Sequence, residues 1–131
     1  MNTKLNKIFA EISAGELIDK ITILEIKKEK ILNKEKLLEI NKELNSLLDT
    51  LNKSNIDKVS IEVLWAELKK INLTLWDIED GKRDAEKKKE FGDDFIKLAR
   101  KVYKINDQRA DIKLKINRSL GSNIKEVKSY Y

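Results

Sequence analysis

The chain has 131 residues, 39% charged and 40% hydrophobic, with a net charge of +5. Four glycines and no proline leave little turn chemistry for a many-stranded sandwich or barrel, so long helices are expected. The absence of cysteine and histidine excludes disulfide frameworks, zinc sites, thiol nucleophiles and imidazole acid–base chemistry.

Residues 1–12 read as an extended arm or a short strand, with a brief apolar patch at Ile8-Phe9-Ala10. That patch is too short for a signal-peptide core or a membrane span, and charges interrupt the other apolar runs. A soluble, cytoplasmic protein is the expectation.

Ser13-Ala14-Gly15-Glu16 matches a capping box, which opens a first helix running to about Leu32. Its apolar stripe is Leu17, Ile21, Leu24 and Ile31, with Lys28 in the same register. After the break at Asn33-Lys34, a second helix to about Asn52 carries Leu37, Ile40, Leu44, Leu47 and Leu51. This 3-4 spacing is the pattern of packed antiparallel helices or a coiled coil. Asn52–Val59 reads as the main loop, and Ser60 as the cap of a third helix. That helix carries Ile61, Leu64, Leu68, Ile71, Leu75 and Ile78. Gly81 is positioned to end or kink it, leaving Lys82–Glu90 as a loop or solvated extension. Asp93 is a cap candidate for a fourth helix, 93–120, closed by Gly121. Residues 122–131 form a polar tail. The expectation is one all-α domain of four long helices in two hairpins, with a homo-oligomer to cover the stripes.

The fourth helix breaks its own pattern. Asn106, Arg109 and Lys113 fall where aliphatic residues belong. A cation on a buried stripe must be paired. The third helix offers Asn72, Trp76, Glu79, Asp80 and Arg83, and the first adds Asp19, Lys20 and Glu25. Glu79 or Asp80 is the expected partner of Arg109 and Lys113, with Asp19 or Glu25 of the first helix the next choice for Arg109. Such a polar seam is either an internal ion-pair network or a site for an anionic small molecule or nucleotide phosphate. The seam residues, Lys20, Glu25, Asn72, Trp76, Glu79, Asp80, Arg83, Asn106, Arg109 and Lys113, are the ligand-binding candidates; no catalytic residue is assigned. Glu16-x-x-Asp19 and Asp77-x-x-Asp80 share the spacing of the Mg²⁺-holding acids of all-α nucleotide pyrophosphatases. Asp19, Asp77 and Asp80 are therefore the only metal candidates, and Mg²⁺ the only cofactor that this alternative requires. The basic balance is almost all lysine interleaved with acids, with four arginines, so nucleic acid is disfavoured.

Three strings resemble one small family of bacterial proteins classed as a domain of unknown function. They are Glu16-Leu-Ile-Asp-Lys-Ile-Thr-Ile-Leu-Glu-Ile-Lys27, Asn72-x-x-Leu75-Trp76-x-Ile78-Glu79-Asp80, and Val102-Tyr103-x-x-Asn106-Asp107-x-Arg109-Ala110-x-x-Lys113. The terminal Glu126-x-Lys128-Ser129-Tyr130 belongs with them. The middle and late strings also resemble a second helical domain with an Asn-x-x-Leu-Trp-x-x-Glu-Asp signature. Members of such families sit near glycosyltransferase and tetratricopeptide-repeat genes. The resemblance thus implies a link to surface-polysaccharide assembly and carries over no catalytic residue. The expectation for the whole chain is an accessory or adaptor protein that acts through binding, with a protein partner.

Overall fold

The computed structural model describes residues 4–127. Helix α1 spans Ala14–Lys30, α2 Lys34–Lys53, α3 Glu62–Lys88 and α4 Asp93–Leu120, with a 3-10 turn at Val59–Ile61. The all-α expectation holds. Residues 4–12 form neither helix nor strand, and Leu5, Ile8 and Phe9 stay more than three-quarters exposed at 80%, 83% and 86%.

Local chemistry explains the boundaries. The Ser13 hydroxyl accepts the Glu16 N–H at 3.1 Å and caps α1. The helix stops at Lys30 rather than Leu32, because Ile31 turns extended and Asn33 caps α2 by accepting the Lys36 N–H at 3.0 Å. Ser60 does not cap α3. Its hydroxyl turns back to the Asp57 carbonyl at 2.7 Å, and a 3-10 turn with no side-chain cap leads into the helix. Gly81 does not end α3, which continues to Lys88. Its bare Cα accommodates Leu98 of α4, which an added Cβ would meet at 3.1 Å. Asp93 is the first residue of α4 rather than its cap, and Gly92 holds the cap position. Together with Asp94 it still suits the positive end of the helix dipole. Gly121 ends α4 in the left-handed conformation, φ +63°.

Helices α1/α2 and α3/α4 form two hairpins, and α1 packs against the other three helices. Consequently α1 is buried on several sides. Leu17, Ile18, Ile21 and Leu24 join Ile40, Leu44 and Leu51 of α2, Leu68 of α3, and Ile112 and Ile116 of α4 in one core. The stripes of all four helices thus meet within one chain. The core takes no residue between Asn72 and Asp111. The distal half of the α3–α4 hairpin therefore extends past the core, and Ile78 is its one buried apolar side chain among the described residues.

Candidate functional site

Asp19 is the hub of the polar seam. It sits on α1 between Ile18 and Ile21 and is fully buried. Arg109 of α4 reaches it bidentately: Nε donates to Oδ1 at 2.9 Å and Nη2 to Oδ2. Asn72 of α3 donates to the same Oδ1 at 2.9 Å and to the Thr22 hydroxyl at 2.9 Å. The Thr22 hydroxyl in turn donates to the Asp19 carbonyl at 2.8 Å. One buried carboxylate thus ties three helices together. Bidentate guanidinium–carboxylate geometry and an extra amide donor are what a buried charge requires.

A second ion pair lies one turn toward the N-terminus of α1. Lys113 Nζ donates to Glu16 at 2.7 Å and to Glu126 at 3.3 Å, and lies 4.0 Å from Asp19. Burial alone would lower the Lys113 ammonium, but hydrogen bonds and charge from Glu16, with Asp19 and Glu126 nearby, outweigh it and raise it. Burial raises the Glu16 carboxyl, yet the hydrogen bond from Lys113, hydrogen bonding with Glu126 and the charges of Lys113 and Lys20 leave it below its ordinary value. The hydrogen bond from Arg109 to Asp19 raises the guanidinium further, although burial opposes it.

Around this pair the C-terminal segment folds back on the start of α1. Asn117 accepts the Gly15 N–H at 2.6 Å, the Ser122 hydroxyl accepts the Ala14 N–H at 3.1 Å, and Asn123 donates to Glu11 at 2.7 Å. Residues 122–127 are therefore partly docked rather than a free polar tail. The Lys128-Ser129-Tyr130 part of the terminal motif and Tyr131 lie outside the described residues.

All three long motifs thus converge on Asp19 and Arg109. Residues 8–131 match the family of unknown function DUF6165. The chain belongs to that family. No curated protein and no solved structure matches it. The motifs of this DUF6165 chain coincide with the helix–helix contacts that assemble its bundle.

The structure brings some sequence candidates together and separates others. Asn72, Asn106, Arg109 and Lys113 meet at Asp19 or beside it; Asn106 accepts from Arg109 Nη1 at 3.5 Å. The expected pairing of Arg109 and Lys113 with Glu79 or Asp80 is wrong: Asp19 and Glu16 of α1 take those roles. Glu79 instead lies 3.5 Å from Lys82, and Asp80 is exposed. Trp76, Glu79, Asp80 and Arg83 line a neighbouring cleft of about 270 Å³ between α1 and α3, which Arg109 also borders. Lys20 is exposed, 3.5 Å from Glu16. Glu25 is elsewhere, accepting the Trp65 indole N–H at 3.1 Å.

Arg109 closes both oxygens of Asp19, Asp77 and Asp80 are exposed on α3, and among the described residues no three carboxylates gather as a metal site would need. The contribution that sequence spacing missed is that of Glu16, Thr22, Asn117 and Glu126. The available signal was Asp19 itself, an acid set among Leu17, Ile18, Ile21 and Thr22 on a helix apolar nearly all round.

Proposed function

We propose that the chain is a non-catalytic binding protein: a helical scaffold whose polar seam holds the bundle together and whose outer helix faces meet a protein partner. The observation that carries this reading is the closure of the seam. Asp19, Arg109, Asn72, Lys113 and Glu16 satisfy one another, and among the described residues no buried side-chain nitrogen or oxygen lacks a partner. The two cations that would attract a phosphate are already held by carboxylates. The accessory role fits the setting that the family resemblance implies, surface-polysaccharide assembly.

A second reading rests on the adjacent cleft. Its wall is Ile23, Ile26, Leu75 and Trp76, and Lys27, Asp80 and Arg83 stand at it without an ion pair among the described residues. A small polar ligand with one apolar face would suit it.

A thermal melt with added inorganic phosphate, nucleoside triphosphate or nucleoside triphosphate with Mg²⁺ separates the two. The scaffold reading predicts an unchanged melting temperature with each, because only a bound ligand stabilises the folded state. A saturable rise that Arg83→Ala or Trp76→Ala abolishes would establish the cleft as a ligand site instead.

A further inference from the structure

From Phe95 to Asn106, α4 carries four cations and no carboxylate. Lys97, Arg100, Lys101 and Lys104 are spaced i, i+3, i+4 and i+7, which places them along one side of the helix. All four are exposed, and none makes an ion pair or side-chain hydrogen bond among the described residues.

Beside the cations runs an apolar strip. Ile96, Ala99 and Tyr103 follow the same i, i+3, i+7 spacing; all are exposed, Ile96 by 51% and Tyr103 by 57%. This is not the strip that packs inward, which is carried by Leu98, Ile105 and Ile112. A helix on the surface of a bundle needs one apolar strip, and α4 has two. The outward one lies on the part of the hairpin that extends past the core. Ala99 at its centre leaves room for another helix to approach.

We propose that this face of α4 docks an acidic amphipathic helix of a partner protein, whose apolar residues cover Ile96, Ala99 and Tyr103 and whose carboxylates meet the four cations. The proposal deepens the binding reading given above and rests on it. Charge decides against the chain's own segments. The N-terminal arm has exposed apolar side chains but carries Lys4 and Lys7. A second copy of the same face would set cation against cation. The length of the face decides against a bilayer or a running polyanion. Asp93 and Asp94 bracket it at one end and Asp107 at the other, leaving a basic footprint of about two to three turns, the width of one crossing helix.

The test is a fluorescence-anisotropy titration of the full chain with a labelled, side-chain-stapled synthetic helix bearing a leucine stripe flanked by glutamates. A scrambled peptide of the same composition, polyglutamate, phosphatidylserine vesicles and single-stranded oligothymidylate serve as comparators. The proposal predicts saturable binding to the stapled helix only. It predicts losses of about tenfold or more for Tyr103→Ala and for the double variant Lys97→Glu/Lys101→Glu, and none for Lys42→Glu on α2. Circular dichroism of each variant checks that the exposed substitutions leave the fold intact. No binding, equal binding of polyglutamate or the scrambled peptide, preference for vesicles or oligonucleotide, or insensitivity to the α4 variants would each overturn it. So would a solution mass above 15.3 kDa that Tyr103→Ala returns to the monomer value, because the face would then be a self-association surface. A negative peptide titration leaves the ligand melts untouched, and a ligand-induced melting shift leaves the peptide result untouched, so the two readings fail separately.

Discussion

Asp19 is held in a place where few carboxylates survive, wholly buried on the central helix. What keeps it there is two guanidinium hydrogen bonds and one amide, all of which arrive from other helices. Two further residues show how tightly the same corner is built. A Cβ on Gly15 would meet the Lys113 carbonyl at 2.4 Å and Asn117 Oδ1 at 2.9 Å. Backbone on backbone cannot give way as a flexible side chain can, so Gly15→Ala should force α1 away from α4 and cost about 1–3 kcal/mol in a urea melt. An unchanged midpoint would mean that the crossing is looser than its geometry. Ser13 accepts the Glu16 N–H and lies 3.4 Å from Glu126, so Ser13→Ala should cost about 1 kcal/mol. The same melt checks it; a loss no larger than that of an exposed Ser119→Ala control would remove the capping role.

At the level of elements, the helices were largely legible in the sequence and their mutual arrangement was not. The stripes of α2 and α3 give their inward faces directly, because each of these helices has one apolar side. Helix α1 has nearly as many apolar sides as it has neighbours, so a single stripe through Leu17, Ile21 and Leu24 hides Asp19 on another buried face. That is why Arg109 was assigned to the acids of α3. Periodicity says that a cation faces inward, but not which helix stands opposite. Gly81 misled for a similar reason, since a glycine inside a helix signals either a break or a close neighbour, and here the neighbour is Leu98. The position of the core also divides α3 and α4 by stability. No residue from 72 to 111 contributes to it. The distal amides of these residues, in the stretch around Lys82–Lys101, should exchange faster than those of Ile18–Leu24 in hydrogen-exchange mass spectrometry. Equal protection throughout would show that the hairpin is stabilised by contacts other than the core.

For the whole molecule, the Glu16–Lys113 ion pair sets limits to the pH range in which the bundle is most stable. The folded-state pKa of Glu16 lies below its ordinary 4.5, so its contribution is complete above that value and is lost as pH falls through the lowered one. The Lys113 ammonium is raised above 10.5, so its contribution is complete below that value and is lost as pH rises through the raised one. Thermal melts should therefore fall away on the acid side below about pH 4.5, and Glu16→Gln should flatten that limb. An acid limb identical in the variant would assign it to other carboxylates. The described helices include none long and apolar enough to cross a membrane.

The central claim is that the seam is closed upon itself, and a double-mutant cycle on Asp19 and Arg109 tests it most directly. Arg109→Met leaves a buried carboxylate without its guanidinium and should cost about 3–5 kcal/mol in urea unfolding. Asp19→Leu strands the guanidinium and should also destabilise. Because replacing both members of a buried pair by apolar groups is often close to neutral, Asp19→Leu/Arg109→Met should recover much of the loss, with a coupling energy on the order of 1–3 kcal/mol. A chain that Arg109→Met leaves unchanged or makes more stable would contradict the account, since the arginine would then be held in readiness for a ligand rather than for Asp19.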